Sequence, residues 1–156
     1  LVNVNFSLSP SLIAGNVDAV IGAFRNFELN QMDIVKRPGR AFYVEEHGVP
    51  TYDELIVVAN AAKLDDPRWP RFVVALEEAA QFLVNHPREA WKLFIKGRKD
   101  LDDELNRRAF RDTLPRFALR PAALDHGRYA RMAAFLAQQE LIAKARPVAD
   151  YAVELR

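Results

Sequence analysis

The chain has no cysteine among its 156 residues, which excludes disulfides, zinc sites built on cysteine and catalysis by a thiol. Glycine is also scarce, with six residues, so a collagen-like or low-complexity composition is excluded. The 22 Lys and Arg residues nearly balance the 21 Asp and Glu residues, and a net charge of +1 gives no bulk electrostatic reason to bind nucleic acid. With 50% hydrophobic and 28% charged residues, the composition is typical of a globular domain.

Long apolar runs are missing as well. Runs such as Leu55 to Ala59 and Phe72 to Leu76 are far shorter than the roughly 20 residues that cross a bilayer. Residues 1–6 contain no basic leader and no initiating Met, so no signal peptide is predicted there. They alternate apolar and polar side chains, as a strand does, and we expect the chain to begin inside a larger protein.

The first 60 residues predict alternating strands and helices. A short helix is predicted to begin with Ser9 as its N-cap and Pro10 in its first turn, and to end at Gly15. A second helix is predicted from Arg25 to Lys36. Because strands and helices alternate, this part predicts an α/β fold with parallel strands. The predicted strands are 2–6, 17–22, 41–45 and 54–59.

The remainder of the chain has helical periodicity. Apolar residues predict one helix from Pro67 to Asn85 and a second that begins at Pro87 and ends at Gly97. A third is predicted over 101–114, and the longest over 121–142. The composition changes near residue 60: the first 60 residues hold four basic and seven acidic side chains, so the remainder carries the excess of positive charge.

The charged and aromatic side chains of the helical part are predicted to have structural roles rather than roles in binding. Arginines alternate with acidic residues such as Glu104 and Asp112, as on a solvated face with ion pairs between residues i and i+4. The aromatic residues recur at helical spacing and are predicted to be core rather than a stacking platform. They are Trp91, Phe94, Phe110, Phe117 and Phe135.

The segment 17–28 is the most informative for function. A predicted buried strand ends at Gly22, and ligands of open α/β sheets bind at the carboxyl ends of strands. Gly22 would let a ligand approach the backbone and Phe24 would offer a ring face, with Asn26 and Glu28 close behind. From the pattern alone, a plain buried strand with Phe24 in the core and Glu28 in solvent is the favoured alternative.

Catalytic chemistry has little support in the sequence. Glu45, Glu46 and His47 could form a metal or acid–base site, but no third ligand is evident and a polar loop is the favoured interpretation. A nucleophile elbow and a phosphate-binding glycine-rich loop are both absent. A pocket that recognises a ligand without reacting with it fits this sequence better.

Several stretches together resemble a known family. Residues 5–12, 15–28 and 45–55 resemble the ThiY-like hydroxymethylpyrimidine-binding proteins of ABC transporters, and 82–91 is similar to a helix–proline–helix segment of the wider superfamily. The likeness covers nearly the whole chain and maps to the C-terminal half of a family member. Residues 17–22 alone are shared with binding proteins for sulfonates and nitrate, so the continuation through Glu28 and the segment after Glu45 are the more specific part.

This resemblance implies a type II periplasmic-binding-protein-like α/β fold with two lobes that close on a ligand like a hinge. Here the resemblance implies a partial lobe with a parallel sheet. Residues 1–60 would form the C-terminal part of the second lobe, including the strand by which the chain crosses back between the lobes. Residues 61–156 would form a C-terminal helical region. It also implies a periplasmic location, an ABC permease as partner, and neither a cofactor nor a metal.

The resemblance further implies a ligand and its contacts. The ligand would be hydroxymethylpyrimidine or its formylamino analogue, and Glu28 would hydrogen-bond the aminopyrimidine ring. The other residues implied at the site are Phe24, Asn26, Gly22 and Ser7. A carboxylate suits this task because it can accept from an exocyclic amine and pair with a protonated ring nitrogen.

Because the first lobe is absent, the strand edges that it would cover are unpaired. Such edges predict dimerisation or strand exchange of the present chain.

Three functions other than pyrimidine binding remain open. They are binding of a sulfonate or nitrate, ligand sensing by a regulatory domain, and catalysis by a pyrimidine-phosphate synthase-like enzyme. The enzyme would need a cysteine-rich motif and iron, and the lack of cysteine counts against it.

Overall fold

The structure, a computed structural model, describes residues 1–155. In that range six α-helices alternate with irregular segments and short 3₁₀ turns. The helices are α1 (Leu8–Ile13), α2 (Glu28–Ile34), α3 (Arg68–Asn85), α4 (Pro87–Phe94), α5 (Glu104–Thr113) and α6 (His126–Gln138).

The predicted α/β fold with a parallel sheet is wrong for this structure, because residues 1–155 contain no β-strand. The four predicted strand segments are irregular, and part of 41–45 enters the 3₁₀ turn Val44–His47. A strand is stable only when a neighbouring strand pairs with its backbone, and no such pairing occurs between these segments. Leu55 and Val58, in the most apolar of them, remain 91% and 82% exposed.

The helical half follows its sequence pattern closely. Helix α3 ends at Asn85 and α4 begins at Pro87, which occupies the first turn, where a missing N–H is harmless. The predicted longest helix is wrong: α6 covers 13 residues, whereas α3 covers 18. Within residues 1–155, no helix combines the length and the apolar character required to cross a membrane.

The chain divides into two compact units. Unit 1 combines Leu1–Ala41 with Phe82–Phe117, and unit 2 combines Phe42–Gln81 with the chain from Ala118 onward. Unit 1 contains α1, α2, α4 and α5, and α2 packs against both α1 and α5. In unit 2, α6 packs against the 3₁₀ turn Val148–Asp150. The sequence-based boundary at residue 60 stays a prediction.

Aromatic rings from α4 and α5 form a cluster in unit 1. The ring of Phe110 lies 5.2 Å from that of Trp91 and 6.2 Å from that of Phe94, measured between centroids. The Trp91 and Phe94 rings are themselves 5.6 Å apart. Contacts of this kind stabilise beyond the area they bury. The prediction that the five aromatics are core is therefore only partly met: Trp91, Phe110 and Phe135 are half-buried, whereas Phe94 and Phe117 are 46% and 42% exposed.

The buried residues in the described range are small: Ser9, Ser11, Asn30, Ala80, Ala90 and Ala133. Large apolar side chains stay at the surface, among them Phe6 and Ile21, which are 100% and 87% exposed. Monomeric proteins rarely expose so many apolar groups, and surfaces of this kind are typical of regions that pack against further protein.

Removal of the N-cap of α5 should destabilise unit 1. The carboxylate of Asp103 accepts the backbone N–H of Asn106 at 2.7 Å, satisfying a donor that the first helical turn leaves unpaired. We expect Asp103→Ala to lower the free energy of unfolding by about 1 kcal/mol, while Asp103→Asn, which keeps an acceptor, should change it little. Urea unfolding followed by circular dichroism measures both, and equal midpoints for the two variants would contradict the capping role.

Candidate functional site

The turn that precedes α2 holds three of the five residues that the sequence singled out. The carbonyl oxygen of Phe24 accepts the backbone N–H groups of Phe27 and Glu28, each at 3.0 Å. In return, Oε2 of Glu28 accepts the backbone N–H of Phe24 at 2.6 Å. Glu28 is the first residue of α2, where a negative charge is favoured by the helix dipole. The carboxylate thus closes its own turn.

The exposure of these side chains differs. Glu28 and Asn26 are half-buried, and Phe24 is 44% exposed. Gly22 lies two residues before Phe24 with φ of +90° and open space where a side chain would stand. That backbone conformation favours glycine, because a residue with a Cβ adopts it only with strain.

Ser9 differs from its predicted role as the N-cap of α1. The residue before the helix is Ser7, and the predicted N-cap Ser9 lies inside α1, buried. The hydroxyl of Ser9 donates to the carbonyl oxygen of Glu28 at 3.5 Å. In the described chain, neither Ser7 nor Gly22 hydrogen-bonds to Glu28, so the structure joins Phe24, Asn26 and Glu28 in one turn and shows no hydrogen bond from the other two to it.

Helix α5 contacts this turn through side chains that the sequence pattern did not single out. Nδ2 of Asn26 donates to the hydroxyl oxygen of Thr113 at 2.6 Å. Nδ2 of the buried Asn30 donates to Oδ2 of Asp112 at 2.7 Å and to the carbonyl oxygen of Asn26 at 3.1 Å. The hydrogen bond from Asn30 is the main cause that lowers the pKa of Asp112, although partial desolvation opposes it.

Asp112 therefore differs from its predicted place on a solvated face, since it is half-buried and faces α2. The sequence carries no signal for this contact, because Asn30 and Asp112 are 82 residues apart. The ion pair predicted at spacing i and i+4 does form between Glu104 and Arg108. Local spacing could identify that pair but not the contact between helices.

Unit 2 contains a separate cavity of about 450 Å³. Apolar side chains of α6, including Met132 and Leu136, form much of its lining. At its edge Arg128 is paired with Asp53. Burial raises the pKa of the lining Tyr129. None of the five residues predicted for the site lines this cavity.

No metal site is evident within residues 1–155, where no three His, Asp or Glu side chains lie close enough together to hold an ion. Glu45, Glu46 and His47 share the 3₁₀ turn Val44–His47, which ends at Gly48 with φ of +89°. All three side chains are exposed.

Comparison with known proteins assigns the family. The model of the family described as "NMT1/THI5 like" matches residues 1–90, more than half of the chain, and the chain belongs to this family. The resemblance to ThiY-like proteins noted in the sequence is thereby confirmed at the level of the family. No solved structure is similar enough to count as a match.

Two relatives are similar over much of the chain. A Haemophilus influenzae protein named "Putative thiamine biosynthesis protein" is 53% identical over 156 residues, which cover 99% of this chain and 50% of that protein. The "Formylaminopyrimidine-binding protein" of Halalkalibacterium halodurans is 30% identical over 100 residues, which cover 61% of this chain and 29% of that protein. The chain thus spans half the length of the first relative and less of the second.

Proposed function

We propose that this chain belongs to the solute-binding component of an ABC importer, and that the component recognises a pyrimidine precursor of thiamine. The observation that carries the proposal is membership of the NMT1/THI5-like family together with the name of the Halalkalibacterium relative, which states that it binds formylaminopyrimidine. The name of the Haemophilus relative places it in thiamine biosynthesis and agrees with the same class of ligand.

Glu28 is the proposed contact to the pyrimidine. One of its carboxylate oxygens accepts the N–H of Phe24, and an ionised carboxylate has about four acceptor positions on two oxygens. The group can therefore hold its own turn and still accept from an exocyclic amine. Because the Phe24 N–H orients the carboxylate before the ligand arrives, less conformational entropy is lost on binding.

The other predicted residues would surround this contact. We propose that Phe24, which is 44% exposed, offers its ring to the planar ligand, and that Gly22 leaves room for the ligand to approach. Asn26 and Ser7 complete the proposed site. We propose binding without a catalytic step, because the Halalkalibacterium relative is named as a binding protein.

An importer role implies partners and a location, which we propose with it. The component would act in the periplasm and deliver its ligand to an ABC permease. The exposed apolar segment 55–58 would pair with further protein, and in the isolated chain it would promote dimerisation or strand exchange.

Calorimetric titration of the full-length protein tests the ligand. We expect heat of binding with formylaminopyrimidine or with hydroxymethylpyrimidine, and none with an alkylsulfonate. The alkylsulfonate is the matched negative control, because sulfonate-binding proteins share the less specific part of the resemblance. Binding of the alkylsulfonate without binding of either pyrimidine would overturn the proposal.

A further inference from the structure

Helix α5 holds the turn that carries Glu28 at two places. One is the side chain of Asn26, bonded to Thr113 at the end of α5. The other is Asn30, in the first turn of α2, bonded to Asp112. The two partners on α5 are adjacent in sequence. The C-terminal end of α5 therefore anchors both the turn that precedes α2 and the first turn of α2.

The direction of these hydrogen bonds restricts what Asn26 can do. The hydroxyl of Thr113 donates to the carbonyl oxygen of Ala109 at 2.6 Å, so its oxygen is the acceptor for Nδ2 of Asn26 at 2.6 Å. One of the two hydrogens on Nδ2 of Asn26 is thereby directed to α5. This hydrogen bond fixes the orientation of the Asn26 amide relative to α5.

Asn30 fixes the backbone of the same residue. Its amide nitrogen carries two hydrogens, and it donates to both the carbonyl oxygen of Asn26 and Oδ2 of Asp112. Asn30 is only 9% exposed, so loss of either acceptor would leave a polar group in poor contact with water. Asn26 is therefore held through its side chain and through its backbone.

We infer that Asn26 serves the proposed site as a positioning residue: its effect on binding comes through Thr113 of α5, which sets the geometry of the turn that presents Glu28. This inference rests on the proposed function, in which Glu28 contacts the pyrimidine. It adds Thr113, Asn30 and Asp112 to the residues that determine ligand affinity, although α5 lies far from the turn in sequence.

A double-mutant cycle separates positioning from direct contact. If Asn26 acts through Thr113, then Asn26→Ala and Thr113→Val each weaken binding of formylaminopyrimidine about 3- to 10-fold, as expected for loss of one hydrogen bond. The double variant then binds no more weakly than either single variant. If Asn26 contacts the ligand directly, Thr113→Val binds like the wild type, or the two losses multiply, and the inference is overturned.

Two further variants control for general damage. Thr113→Ser keeps the hydroxyl and should restore most of the affinity that Thr113→Val loses. Asn16→Ala makes the same amide-to-methyl change at an exposed position of unit 1 and should leave the affinity unchanged. Thr113→Ala replaces the valine variant if the latter does not fold, as judged by circular dichroism.

A second measurement needs no ligand. The backbone N–H of Phe24 donates to Glu28, so its hydrogen-exchange rate reports how firmly the turn is held. We expect Thr113→Val to speed this exchange about 3- to 10-fold while leaving amides in the middle of α3 unchanged. Unchanged exchange at Phe24 would overturn the positioning role. Failure of the wild type to bind either pyrimidine would refute the proposed function alone.

Discussion

Replacement of Glu28 by glutamine should weaken binding of formylaminopyrimidine about 10- to 100-fold. The variant keeps an oxygen that can accept the Phe24 N–H, so the turn should survive, but it loses the negative charge offered to the ligand. Hydrogen bonds to charged groups contribute about 1.5–3 kcal/mol, which corresponds to this range of affinity. Calorimetric titration at fixed pH measures the change.

The matched control is Glu89→Gln. Glu89 also lies in the first turn of a helix, α4, and is exposed, so its replacement removes a similarly placed charge. We expect this control to bind like the wild type. Equal affinity of the Glu28 and Glu89 variants would show that the carboxylate of Glu28 does not contact the ligand.

Replacement of Phe110 by alanine should give the largest loss of stability. Its ring contacts those of Trp91 and Phe94, and the half-buried side chain would leave a gap between α4 and α5. Replacing a fully buried phenylalanine by alanine lowers the free energy of unfolding by about 3–5 kcal/mol. For this partly exposed ring we expect a loss of about 2–3 kcal/mol. Urea unfolding followed by circular dichroism measures the difference.

Phe6→Ala is the comparison for this experiment. Phe6 is fully exposed, so the same substitution there should change the free energy of unfolding by less than about 0.5 kcal/mol. If both variants lose the same stability, the ring cluster does not stabilise unit 1 and the effect must lie in the unfolded chain.

The site was predictable in part. Phe24, Asn26 and Glu28 are close in sequence, and the structure places them in one turn linked by the Phe24–Glu28 hydrogen bond. Their role in binding stays a prediction. The anchoring of this turn by Thr113 could not be predicted, because no periodicity or spacing connects residues that are 87 positions apart.

In the fold, too, features set by neighbouring residues could be predicted from the sequence, whereas features that depend on residues distant in the chain could not. The sequence by itself indicated where the helices of the second half lie, since apolar spacing and Pro87 act within a few residues of the backbone they shape. It also indicated the family. Only the tertiary structure decided that segments such as 17–22 and 54–59 are not strands, because a strand depends on backbone partners elsewhere in the molecule and its own pattern cannot supply them.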